Sequence, residues 1–229
     1  CLHIMKNDTS FSNRNTLKQI GIIFLYHGVY SMIDDQKILK TGTTTVGIVV
    51  KDGVILATES QATMGYLVAT TKAPKLYEIT DRIAMTISGS VADCQQVVRI
   101  IKANAKLHEL ERAKPISVRA VARLTANVLF QQRLYPYISQ LLIGGYDDAP
   151  RLFSLDPLGS LIEEFDFSAT GSGSVIAYGV LEAEYSKDMN LDAAKELARK
   201  SIEAARRRDT ASGGEIQMAI ITKKGIKRI

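Results

Sequence analysis

The chain has no tryptophan and only two cysteines, three histidines and five prolines in 229 residues. Cys1 and Cys94 cannot build a disulfide framework, and neither sits in a CxxC pair or a Cys/His cluster. A reducing compartment is therefore expected, with no structural zinc or other metal. His3 and His27 lie near the start, which leaves His108 alone in the body of the chain. Ser-His and Cys-His catalysis and most zinc sites need a well-placed imidazole, so a hydrolase built on this chain has to find another base. His108 reads as a surface or half-buried helix residue and Cys94 as a small apolar filler.

Long apolar runs are missing too. Ile20–Tyr26 holds seven residues, far short of the roughly 20 that span a bilayer. With Lys18 in front it could form the core of a secretory signal, but no small-x-small cleavage site follows before Met32. No membrane partner is expected. Charge of one sign forms no block: 29 Lys and Arg face 24 Asp and Glu, a net charge of +5. The densest run, Arg206–Arg208, follows a helix-like segment, where cations suit the negative end of the macrodipole. No aromatic residues interleave with these arginines as a stacking platform for single strands requires, so no nucleic-acid partner is expected. Asp147-Asp148 and Glu163-Glu164 read as solvated loops and not as a paired-carboxylate site.

What remains is an ordinary globular composition, 46% hydrophobic and 23% charged, with enough chain for one large domain. Residues 1–42 stand apart as a removable leader. Met32 offers a natural start of translation, which would leave residues 1–31 as an upstream extension of the reading frame. From Thr43 the β-branched run Thr43–Val50, the turn Lys51-Asp52-Gly53 and Val54–Thr58 predict a hairpin. Lys75–Ile79 and Ile83–Ser88 predict a second. Helices are expected over 92–112, with Val97, Ile101, Leu107 and Leu110 on the apolar face, and over 117–134, with Val121, Leu124 and Val128. Strands over 138–144, 151–156 and 160–167 follow, then helices over 174–185 and 191–208, a strand over 216–222 and a short tail. Antiparallel strands alternating with helix pairs indicate an α+β sandwich covered by helices, in one domain over 43–229.

With imidazole scarce, the Gly-Ser-Gly-Ser stretch at Gly171–Ser174 offers no substitute chemistry. No Gly-Lys-Ser/Thr follows it, as in a P-loop, and it is not a Gly-x-Ser-x-Gly elbow. An N-terminal nucleophile remains open: cutting the leader would free an α-amine beside the Thr43 hydroxyl. That amine has a reference pKa near 8, against about 10.4 for lysine, so it is the more available proton acceptor. Gly42, lacking a Cβ, can take a tight conformation that lets the hydroxyl reach the carbonyl upstream. Thr43-Thr44-Thr45 equally fits plain β propensity.

Several stretches together carry a resemblance: Thr41–Gly47, Ala57-Thr58-Glu59, Pro74-Lys75-Leu76, Ser88-Gly89-Ser90, Thr170–Ser174, Tyr178–Glu182 and Arg208–Gly214. In this order and spacing the chain from Thr43 to Ile229 resembles the β-subunits of the archaeal 20S proteasome. The resemblance implies a threonine endopeptidase of the N-terminal nucleophile class with a four-layer αββα fold. It implies stacked seven-membered rings with an α-subunit ring and other β-subunits, a partner ATPase, unfolded polypeptides as substrates, a cytoplasmic location and no cofactor. On the matching positions, Thr43 would be the nucleophile and Lys75 the cation beside it, with Glu59 keeping Lys75 charged and oriented. The Gly89 N–H would form the oxyanion hole, and Ser172, Asp209 and Ser212 would support the freed amine. Cleavage would fall between Gly42 and Thr43, and Ala62, Ala73, Ile87 and Val91 would line the pocket for the residue before the cut bond. Ser60 and Gln61 stand where some archaeal relatives carry basic residues. A catalytically silent β-subunit is the alternative of another class. The bacterial two-ring threonine protease is a nearer one, sharing Gln61–Gly65, while Arg208–Gly214 and Tyr178-Gly179 favour the proteasome.

Overall fold

The computed structural model describes residues 42–229; the expected leader up to residue 41, with Ile20–Tyr26 and Met32, lies outside the described residues. Strand alternation accounts for its layers. In β1 (Thr45–Val50) and β2 (Gly53–Glu59), successive side chains face opposite sides. Val46, Ile48, Ile55 and Ala57 pack against one pair of helices, while Val54 and Leu56 meet Leu76, Ala84, Leu142 and Leu152 of a second sheet. In that second sheet Ile83, Met85 and Ile87 turn the other way, toward another helix pair.

The first sheet has the order β10-β1-β2-β11-β12, with β10 at Phe167–Thr170, β11 at Ile216–Thr222 and β12 at Gly225–Arg228. The second runs β5-β6-β7-β8-β9, with β5 at Leu76–Thr80, β6 at Ile83–Gly89, β7 at Ser139–Tyr146, β8 at Pro150–Leu155 and β9 at Leu161–Glu164. Pairing within both sheets is antiparallel. Helices α1 (Val91–Arg112) and α2 (Val118–Gln131) cover the second sheet; α3 (Ser174–Glu184) and α4 (Leu191–Arg208) cover the first. The result is the expected four-layer αββα sandwich. Side-chain oxygens cap α1, α2 and α4: Ser90 accepts from Asp93 N–H, Ser117 from Ala120 N–H and Asn190 from Ala193 N–H. Arg206–Arg208 fill the last turn of α4.

The structure differs from the pattern reading in four places. The single strand expected over 160–167 is two, β9 and β10, and they belong to different sheets, so the chain crosses the sandwich at Phe165-Asp166. The tail is a strand, β12, paired with β11. A small hairpin of β3 (Ala62–Met64) and β4 (Leu67–Thr70) projects after β2; all of β4 is exposed, so it has no burial pattern to betray it. Leu107 and Leu110 are 52% and 70% exposed, because the buried stripe of α1 ends at Ala105.

Cys94 belongs to the core under α1, and burial pushes its thiol up to about 12. Thiolate is the reactive form, so the Cys94 peptide should stay unmodified by iodoacetamide at neutral pH in the folded protein. Peptide mapping should find it alkylated only after unfolding.

Candidate active site

Antiparallel hairpins bring the start of one strand beside the end of the next, and the expected catalytic residues lie at such ends and in the connections beside them. Thr43 leads into β1 and Glu59 ends β2; Lys75 precedes β5 and Gly89 ends β6. Ser172 lies between β10 and α3, Asp209 caps α4, and Ser212 sits in the loop to β11. Both sheets therefore contribute.

Thr43 is 3% exposed, Lys75 2% and Glu59 not at all. Lys75 Nζ donates to Glu59 Oε1 at 2.5 Å and to Thr43 Oγ1 at 2.8 Å. The other donors around Glu59 come from the main chain: Thr44 N–H to Oε1 at 3.3 Å, and Gln61 and Gly213 N–H to Oε2 at 2.6 and 2.9 Å. Both oxygens of this buried carboxylate are therefore supplied with donors, which is what burying a polar group requires. Thr43 Oγ1 in turn donates to the Gly42 carbonyl at 2.5 Å, and Lys75 Nζ lies 3.5 Å from the same oxygen. Hydroxyl, ammonium and the carbonyl of the preceding peptide thus form one cluster.

A second network holds the main chain. Thr43 N–H donates to Ser172 Oγ at 3.2 Å, and Ser172 and Ser212 both donate to Asp209 Oδ2, at 2.5 and 2.6 Å. Ser212 reaches Thr44 Oγ1 at 2.7 Å, so its support runs through Thr44 and Asp209 and not directly to Thr43. Across the sheets, Ser88 Oγ bonds Thr170 Oγ1 at 3.1 Å and Gly171 N–H donates to Gln140 Oε1 at 3.1 Å.

Gly42, Thr43, Lys75 and Gly89 line one small cavity with Ala62, Ile87 and Val91. Ala73 is buried but is not among the lining residues; its N–H donates to the Ser60 carbonyl. Pattern reasoning gave no role to Thr63 or Ser88, which also line the cavity, or to Thr44. Thr63 Oγ1 accepts the Gly42 N–H at 3.3 Å. Hydroxyl residues in strands carry no sign of function, so only the register could reveal them. Two glycines are required here for different reasons. Gly89 has φ 121°, closed to residues with a Cβ. Gly42 has no such φ; instead a Cβ there would lie 1.7 Å from the Ala211 Cβ. Close approach, not a special conformation, is what its lack of a side chain permits.

A helix-covered αββα sandwich with a threonine, a lysine and carboxylates gathered at one end of its two sheets is the architecture of the N-terminal nucleophile hydrolases. Residues 39–221 match the family model described as proteasome subunit. The chain is 53% identical over 188 residues to the proteasome subunit beta of Methanocaldococcus vulcanius, covering 81% of this chain and 84% of the relative. It is 53% identical over 194 residues to that of Ferroglobus placidus, covering 84% and 91%. The proteasome subunit beta of Archaeoglobus fulgidus is 52% identical over 194 residues, with coverage of 84% and 90%. The chain belongs to the proteasome subunit family, and its similarity is to the beta subunits.

Among the described residues no helix is long and apolar enough to cross a membrane. Burial lowers the Lys75 pKa from 10.5, and the Glu59 charge only partly offsets this. In the interval below 10.5 the folded chain has then released a proton that the unfolded chain still holds, so stability rises with pH there. Thermal midpoints of the protein and of Lys75→Met, followed up to pH 10.5, should diverge in the protein's favour as pH rises.

Proposed function

We propose that this chain is a threonine endopeptidase: a catalytic β-type subunit that frees its own nucleophile by cutting between Gly42 and Thr43. It works in stacked seven-membered rings with an α-type ring, on unfolded polypeptides delivered by an ATPase in the cytoplasm. The observation that carries this reading is the contact of Thr43 Oγ1 with both the Gly42 carbonyl, at 2.5 Å, and Lys75 Nζ, at 2.8 Å. A silent ring component would need none of these contacts.

The chemistry follows from the cluster. Thr43 Oγ1 adds to the Gly42 carbonyl carbon, giving its proton to neutral Lys75 directly or by way of a water. Depression of the Lys75 pKa by burial makes the neutral amine accessible. The C–N bond breaks as the Thr43 nitrogen takes a proton, which frees the α-amine and leaves the Gly42 acyl group as an ester on Oγ1. Water hydrolyses that ester, releasing the leader with a Gly42 carboxylate and restoring the Thr43 hydroxyl. Peptide substrates then meet the same Oγ1, with the new α-amine as a further proton acceptor. The Gly89 N–H would receive the developing oxyanion, while Ser172 and Asp209 hold the amine. Glu59 keeps Lys75 placed throughout.

Gly42 lines the cavity, so leader loss enlarges it. Its walls at Ala62, Ile87 and Val91 offer no charge, which suits an apolar residue before the cut bond.

Thr43→Ala should abolish peptide hydrolysis and leader removal while rings still assemble. Gly42→Val should slow leader removal about tenfold or more, because its Cβ would collide with Ala211. Time courses of leader loss by gel and peptide assays on sized particles check both. Normal turnover by Thr43→Ala would refute the reading.

A further inference from the structure

Thr43 and Glu59 are carried by the first sheet, whereas Lys75 enters the site from the second, one residue before β5. The reach of its ammonium to Thr43 therefore depends on how the Lys75 main chain is held against the first sheet. Gln217 on β11 makes that tie. Its Oε1 accepts the Lys75 N–H at 2.9 Å and its Nε2 donates to the Ala73 carbonyl at 2.9 Å. Pro74 stands between the two groups and has no N–H to donate. A primary amide carries one acceptor and one donor head, so the fixed N–H and C=O on either side of Pro74 determine which way it points. From the other side the Lys75 carbonyl accepts the Ile87 N–H at 3.0 Å. In the register of β11 with β2, Gln217 lies opposite Thr58, and its neighbour Ile216 lies opposite Glu59.

We propose that Gln217 is a positioning residue for the threonine chemistry, fixing the Lys75 backbone to the strand pair that carries Glu59. Both of its side-chain hydrogen bonds go to main chain, so it acts through Lys75 and not on substrate. The inference rests on the reading of Lys75 and Thr43 given above. Once the strut is lost, the Lys75 main chain keeps, among the described residues, only its carbonyl bond to Ile87, and the ammonium moves relative to Oγ1. Displacements of that kind reduce the chemical step, while Gln217 itself is not among the residues lining the cavity.

The test uses assembled particles of the full chain carrying Gln217→Met, which keeps side-chain length and removes both hydrogen bonds. Gln217→Glu is made beside it, retaining an acceptor for Lys75 N–H while setting an oxygen against the Ala73 carbonyl. Gln217→Met should lower kcat about 10- to 100-fold with KM within about twofold, and Gln217→Glu should fall between it and the parent. A purely structural role would lower the thermal midpoint and leave kcat per assembled site unchanged, which would overturn the inference. Should Gln217→Met fail to assemble, Gln217→Glu decides: a kcat equal to the parent's overturns the inference, and a reduced kcat at unchanged KM supports it. Thr43→Ala runs in parallel. Retained activity there would refute the functional reading itself, whereas inactive Thr43→Ala beside fully active Gln217 variants would refute only the strut.

Discussion

The buried ion pair of Lys75 and Glu59 is the interaction on which the site depends, because its partners come from different sheets. Two charges out of water cost several kcal/mol each unless every lone pair and proton finds a partner. Here Glu59 collects N–H groups from Thr44, Gln61 and Gly213, and Lys75 spends its protons on Glu59, Thr43 and the Gly42 carbonyl. Those partners include the start of β1, the turn after β2 and the loop before β11. Satisfying one ion pair therefore fixes several chain segments at once. An apolar pair would pack as well but would leave the Thr43 hydroxyl without a cation.

The same economy of contacts explains why the sheets do not slide. Their shared layer is apolar at Val54, Leu56, Leu142 and Leu152, which supplies burial but little register. Toward the site the layer turns polar, with Ser88 bonded to Thr170 and Thr170 to Thr45. Hydrogen bonds of defined length set a register that packing alone leaves soft. The glycines belong to this account: Gly42 lets the main chain just before Thr43 lie against Ala211, and Gly89 lets β6 turn into α1 where a side chain would meet the Ile138 carbonyl at 2.2 Å.

Much of the fold is legible in the sequence where a period and a boundary signal coincide. The β1–β2 hairpin has β-branched alternation around a Gly turn, and α4 has Asn190 at its start and arginines at its end. Legibility fails where the deciding partner is distant. Nothing in Ser160–Phe167 announces that half the stretch pairs with β8 and the next strand with β1. Likewise Leu107 and Leu110 keep helical spacing beyond Ala105, where the buried stripe of α1 ends. At the site, the residue types allowed an N-terminal nucleophile, and the ordered motifs brought Thr43, Glu59 and Lys75 together by resemblance. The steric reason for Gly42, the link through Thr44 and the strut at Gln217 follow only from three-dimensional proximity, since a threonine beside a strand or a glutamine within one looks like filler.

The central claim is that Thr43 becomes a free N-terminus and that its hydroxyl does the chemistry. Intact mass spectrometry of the chain from assembled, active particles tests this most directly. The account predicts a single species spanning residues 43–229, beginning Thr-Thr-Thr-Val-Gly. Active particles whose chains retain Gly42, or begin at any residue beyond Thr43, would contradict it.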